Sequence, residues 1–185
     1  MTEHILGLDI STSCTGYCVL SLDGVCVDIG YIRFKQSQEH FRRVQEAENY
    51  ISKIHREYNI SKVFIEQNLQ AFRSGFSSSK TLVSLARFNG MVSYSCFQII
   101  GVIPEYINVN TARKTVGVKI DRKSDITTKD QVFDWTKREM PSHVWPVKKL
   151  KSGPRKGQEI FDPVCYDMAD AYVIARSGWA SSTIS

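Results

Sequence analysis

Apolar and polar positions change their period several times along the chain, and each change predicts an element. His4 to Ile10 is a short apolar run, and Gly16 to Leu22 is another. Asp23-Gly24 after it predicts a tight turn, because glycine accepts positive φ. Val25 to Phe34 follows as a third strand, so the chain opens on an antiparallel three-strand meander. From Gln36 to Tyr58 the period lengthens. Phe41, Val44, Ala47, Ile51, Ile54 and Tyr58 recur at steps of three and four, the spacing of one helical face. Lys62 to Gln67, with Val63-Phe64-Ile65 at its centre, reads as a strand. A strand reached through a helical crossover is normally parallel to its neighbour and covered on both faces.

Leu69 to Ser79 is rich in Ser, Phe and Gly and predicts a loop. Lys80 to Ile100 predicts a second helix, whose apolar residues spread over more than one face. One face packs on the sheet. The other needs a second cover, from a partner subunit or from elsewhere in this chain. Pro104 to Val109 is another strand, and Asn110 or Thr111 can cap a short helix through Gly117. Thr127 or Thr128 can cap a helix running to about Met140, before Pro141 stops it. Ser142 to Phe161 holds Pro, Gly and five Lys or Arg with little periodicity, a basic loop at about 142–161. Asp162-Pro163 opens a last helix to about Ser177. The order predicts a mixed α/β fold, a five-stranded sheet with an antiparallel lead-in, flanked by helices. The 185 residues suit one domain over 1–185 with one core.

Composition narrows the class. No apolar run approaches the roughly 18 residues of a membrane span, and Met1 to His4 lack the zones of a signal peptide. A cytoplasmic, nucleoid-associated protein is expected. Cys14, Cys18, Cys26, Cys96 and Cys165 are odd in number and scattered, with no CxxC pair. They read as buried thiols in a reducing compartment. Charge is uneven. From Thr111 to Ile160 there are 13 Lys and Arg against 6 Asp and Glu, while the remainder holds 11 against 13. A polyanion feels that third of the chain first. The ordinary alternative is a solvated lysine-rich surface.

Four carboxylates stand out. Asp9 lies in a core strand, where a charge is expensive unless paired, and Glu66 ends another buried strand. Asp167 and Asp170 are three apart on the last helix and share a face, where like charges repel. Taken singly, each has a plain reading as a turn cap, an Arg partner or a solvent-facing acid. Together, if the elements converge, they make an all-oxygen pocket of the kind Mg2+ or Mn2+ prefers. Two such ions about 4 Å apart suit phosphodiester cleavage.

Three motifs carry a family resemblance. Ile5-Leu6-Gly7-Leu8-Asp9, with Ser11, Thr12, Thr15-Gly16-Tyr17 and Val19, resembles the opening strand and hairpin of RuvC-like Holliday junction resolvases. Phe64-Ile65-Glu66-Gln67 resembles their second motif, and Asp167-Met168-Ala169-Asp170-Ala171 their C-terminal D-x-x-D-A helix. The resemblance spans nearly the whole chain. It implies an RNase H-like nuclease fold and a homodimer joined through the helix starting near Lys80. It implies a crossover junction endonuclease that nicks four-way or branched DNA symmetrically with Mg2+, for which Mn2+ substitutes, two ions per site. By this resemblance Asp9, Glu66, Asp167 and Asp170 are the metal-binding catalytic residues. Arg113-Lys114-Thr115-Val116-Gly117 and Thr128-Lys129-Asp130 resemble the family's lysine-bearing segments, making Lys114 and Lys129 further catalytic candidates. Arg113, Lys119, Arg122, Lys123, Lys148, Lys149, Lys151, Arg155 and Lys156 are candidate DNA contacts.

Two departures stand beside this. Many members carry a junction-wedging aromatic just after the Glu-Gln pair, where this chain has Asn68-Leu69; Phe72 or Phe76 is the candidate replacement. The basic segment 142–161 is longer than the bacterial pattern and looks more like phage-type relatives, which would work in a host cytoplasm. A branch-migration partner is not legible in the sequence. Competing functions are an RNase H-like nuclease trimming precursor ribosomal RNA and a DNA-binding module without catalysis. A third is an ATP-binding protein of the actin and sugar-kinase superfamily, whose first phosphate loop Asp9-Ile10-Ser11-Thr12 to Gly16 resembles. That superfamily needs two copies of the fold, and 185 residues hold one.

Overall fold

The computed structural model describes residues 2–67 and 79–183. A five-stranded sheet has the order β3-β2-β1-β4-β5, built from β1 (His4–Ile10), β2 (Cys14–Ser21), β3 (Cys26–Arg33), β4 (Ile60–Glu66) and β5 (Glu105–Ile107). β1, β2 and β3 pair antiparallel, as the short turns require. β4 joins β1 in parallel after the crossover helix α1 (His40–Tyr58), and β5 joins β4 in parallel. The expected mixed sheet with its meander is present.

Alternation along β1 sends Leu6, Leu8 and Ile10 to one face, where Val44, Ala47, Ile51 and Ile54 of α1 cover them. Phe88, Val92 and Cys96 of α2 (Ser79–Ile100) complete that layer. Each fully buried Ile, Leu or Phe there contributes roughly 1.5–3 kcal/mol. Ile5 points to the opposite face with Phe64, against Ala171, Ile174 and Ala175 of α5 (Val164–Ser182). Two short helices, α3 (Val109–Thr115) and α4 (Thr128–Glu139), pack on α5 from outside.

Several boundaries differ from expectation for identifiable reasons. α1 begins at His40, because Glu39 is extended (φ −67°, ψ 156°). Phe41, ahead of the buried stripe, is 75% exposed. Asn108 caps α3, rather than Asn110 or Thr111; its side chain accepts from the amides of both, at 3.0 and 3.4 Å. Thr127 caps α4 through the Asp130 amide. α5 runs to Ser182, past Ser177, because its last turns have partners. Arg176 donates to the Gly24 carbonyl at 2.7 Å, and Trp179 Nε1 to the Leu22 carbonyl at 2.9 Å. The basic segment, expected to be loop, contains a hairpin of β6 (Val147–Lys149) and β7 (Glu159–Phe161). Its foot is fixed by Trp145 and Phe161, both edge-on to Phe133 of α4. Among the described residues no helix is long and apolar enough to cross a membrane. Cys14, Cys18, Cys96 and Cys165 are buried free thiols as expected, and Cys26 is partly exposed.

Candidate active site

Parallel pairing places two acids side by side. Leu8 of β1 pairs with Ile65 of β4, so Asp9 and Glu66 leave adjacent strands at the same end. On the other side Asp9 pairs with Gly16 of β2. A Cβ on Gly16 would stand 2.0 Å from the Asp167 carbonyl oxygen, and one on Gly7 would stand 2.6 Å from the Ala175 Cβ. These two glycines let α5 lie directly on the β1–β2 ribbon. That contact brings Asp167 and Asp170, three apart on the first turns of α5, over Asp9.

All four carboxylates line one cleft of about 450 Å3. Leu82 and Leu85 of α2 supply an apolar wall, and Arg113 and Lys129 supply the cations. Ser11 shapes the rim. Its hydroxyl donates to the Cys14 carbonyl at 2.7 Å and accepts from the Cys14 amide. Arg43 of α1 braces the same turn by donating to the Thr12 carbonyl at 2.6 Å. Lys129 stands in the first turn of α4. The neighbouring Asp130 accepts from Thr127 and from the Tyr166 hydroxyl, both at 2.6 Å, which ties that turn to the start of α5. A further ion pair, Arg33 to Asp162 at 2.6 Å, pins the segment entering α5 to β3.

The cluster has more acid than its surroundings stabilise. Burial holds the Asp9 pKa well above the usual carboxylate value, and the charges of Glu66, Asp170 and Asp167 push it further. Glu66 is raised to about 7, first by burial and then by Asp170, against the opposing pull of Arg113 and Lys129. Burial also raises Asp167, which the Cys14 thiol partly offsets by hydrogen bonding. Asp170 is raised by burial and eased by Arg113. The Lys129 charge eases all four. Divalent cations fit such a site on two grounds, the all-oxygen donor set and the shortage of positive charge. Among the described residues no three Asp, Glu, His or Cys side chains already surround one ion-sized point. The carboxylates share a cleft without forming a finished cage.

A pH dependence follows. Glu66 has a higher pKa folded than unfolded, so the folded state holds the extra proton between the two values. Metal-free stability is therefore expected to fall as pH rises from about 4.5 to about 7. Thermal unfolding in EDTA from pH 5 to 8 measures this. Glu66→Gln should flatten the slope, and an unchanged slope would remove Glu66 as its source.

The remaining predicted residues sit elsewhere. Lys114 is exposed on α3 and outside the cleft lining, whereas its neighbour Arg113 turns inward. Lys119, Arg122 and Lys123 are exposed between α3 and α4. Lys148, Lys149, Lys151, Arg155 and Lys156 are exposed on the hairpin and its connection. Phe72 and Phe76 lie outside the described residues. Sequence reasoning missed Leu82 and Leu85 as cleft wall, and it missed Gly16 as the seat of α5.

The meander, the parallel β4 and β5, and an α5 carrying two aspartates over the β1 acid define an RNase H-like fold of the kind seen in RuvC resolvases. No protein-family profile matches the chain. It is 29% identical over 140 residues to the crossover junction endodeoxyribonuclease RuvC of Sulfurovum sp. (strain NBC37-1), covering 73% of this chain and 79% of that protein. To the Campylobacter jejuni RuvC (strain ATCC 700819 / NCTC 11168) it is 26% identical over 141 residues, covering 75% and 81%. The solved structure of T. thermophilus RuvC in complex with Holliday junction substrate superposes with a TM-score of 0.66 at 14% identity, covering 98% of this chain and 96% of that one. The yeast mitochondrial Holliday junction resolvase Ydc2 superposes with a TM-score of 0.53 at 15% identity, covering 97% and 80%. In sequence the chain is distantly similar to RuvC resolvases, and it shares their fold.

Proposed function

We propose that this protein is a metal-dependent endonuclease that resolves four-way DNA junctions. The carrying observation is the convergence of Asp9, Glu66, Asp167 and Asp170 on one cleft beside Lys129. In this reading those carboxylates hold Mg2+ or Mn2+, two ions per site. Such ions, when bound, would supply Lewis acidity and make water nucleophilic at neutral pH. The chain's own residues do the rest. Asp167 and Asp170 are held at fixed height by the α5–Gly16 contact. Lys129 faces the cleft, where it stabilises charge developing on a phosphate oxygen. Lys114, exposed on α3, and Lys119, Arg122 and Lys123, exposed between α3 and α4, would track the strand backbone.

The basic hairpin would supply a second phosphate-binding surface. Lys148, Lys149, Lys151, Arg155 and Lys156 would grip one duplex arm by phosphate contacts, from a foot held rigid by Phe133, Trp145 and Phe161. This hairpin-bearing segment is the feature that favours a phage-type relative, acting in a cytoplasm where DNA is accessible. A homodimer would place two clefts on opposing strands. Val83, Tyr94 and Phe97 of α2 are exposed and suit the dimer face.

The test is cleavage by purified protein with Mg2+ on four-way, three-way, flap and linear duplex DNA, with structured RNA alongside. Paired nicks on the four-way junction are expected, from a protein that sediments as a dimer at micromolar concentration. Replacing the five hairpin cations by Ser should weaken junction binding and make it less salt-dependent. Preferential cutting of RNA would favour the ribosomal-RNA reading, and a monomer that still makes paired nicks would remove α2 as the dimer element.

A further inference from the structure

The cleft already contains a cation of its own, placed against one of the proposed metal ligands. Arg113 projects from the last turn of α3, and its Nη2 donates to Asp170 Oδ1 at 3.3 Å. Both side chains are mostly enclosed, 17% and 13% exposed, so solvent screens the pair only partly. The contact is a single long bond rather than a two-point fork, and the buried Arg113 Nε has no hydrogen-bond partner. A guanidinium carries five donors and stays charged at every working pH. Here it is under-paired, and it neutralises a carboxylate that also faces Glu66 and Asp9 across the cleft.

We infer that Arg113 is a built-in countercation: it holds Asp170 in the metal-free protein and must release that carboxylate before a divalent ion can use it. The inference rests on the reading of Asp170 as a metal ligand and adds a competitor for it. Two features fit. The four carboxylates share the cleft yet, among the described residues, leave no three of them around one point. The Arg113–Asp170 bond is weak enough in geometry to break without rebuilding α3, since Asn108 caps that helix independently. Arg113 is thus a positioning residue. It lowers the affinity of the empty site for metal and keeps the acid cluster folded meanwhile.

The experiment is calorimetric titration of Mn2+ into DNA-free protein, comparing wild type, Arg113→Gln and Arg113→Lys. Arg113→Gln is expected to bind Mn2+ about tenfold more tightly, the change for one lost competing charge-assisted contact. It should also melt at a lower temperature in EDTA. Arg113→Lys keeps the charge without the planar fork and should fall between the two. A merely structural role for Arg113 would lower stability and weaken Mn2+ binding together, which overturns the inference. Equal Mn2+ affinity in all three proteins overturns it as well and leaves the nuclease reading intact. Absence of Mn2+ binding in every variant overturns the metal reading and this inference together. Should Arg113→Gln fail to fold, Arg113→Lys against wild type decides alone, tighter binding by the lysine variant supporting the competition and unchanged or weaker binding ending it.

Discussion

Asp9→Asn is expected to stop junction cleavage while leaving junction binding nearly intact. The replacement keeps shape and removes one negative oxygen from the floor of the cleft. Asp9 is the acid on which the other three act, since Glu66, Asp170 and Asp167 all raise its pKa. Loss of one member of a catalytic unit typically costs about three or more orders of magnitude in rate. DNA affinity comes from Lys and Arg contacts to phosphates, and removing an acid from a site already crowded with acids does not weaken those. Metal-free thermal stability should rise, because a buried like-charge group has gone. Single-turnover cleavage with Mg2+ and a gel-shift titration on the same junction measure both halves. Cutting at the wild-type rate would mean that the site lies elsewhere.

Among the described glycines, Gly16→Ala should be the most damaging substitution by alanine. The added Cβ would stand 2.0 Å from the Asp167 carbonyl oxygen and 2.3 Å from its carbon. Both are helix backbone, so no side chain can swing aside. α5 must lift from β2, which loosens the packing of Ala171, Ile174 and Ala175 and moves Asp167 and Asp170 away from Asp9. Overpacking of this kind costs about 3 kcal/mol or more, a fall in Tm of about 10 °C for a chain this long. Activity should fall further than stability predicts, because the two aspartates shift even in molecules that remain folded. Gly90→Ala, where a Cβ meets nothing within 4 Å of this chain, is the control for melting alone, because Gly90 shares the α2 stripe proposed for the dimer. A Gly16→Ala protein with wild-type melting and full cleavage would remove the α5–β2 contact as the device that builds the site.

The antiparallel lead-in, the mixed sheet and the strand ends that carry acids were legible in the chain for a physical reason. Val63-Phe64-Ile65 and Ile5 to Leu8 are continuous apolar runs, and a charge at the end of such a run announces itself. Asp167 and Asp170 share a helical face by spacing alone. The details that complete the site have no local signature. Gly16 looks like any strand glycine until α5 lies on it, and Arg113 resembles a surface cation until it meets Asp170, 57 positions later. β6 and β7 are three residues each, too short to show a period, and are held by Phe133 and Trp145 rather than by their own pattern. Phe41 keeps helical spacing with the buried stripe, yet it stands a turn ahead of it and stays in solvent.

The last helix is moored to the meander at both ends, Asp162 to Arg33 across 129 positions and Trp179 to Leu22 across 157. Such distant partners meet only after the residues of α5 have been made. Until then a nascent chain carries Asp9 and Glu66 alone, half of the acidic set. The four-carboxylate cleft therefore forms only once α5 has settled on the β1–β2 ribbon.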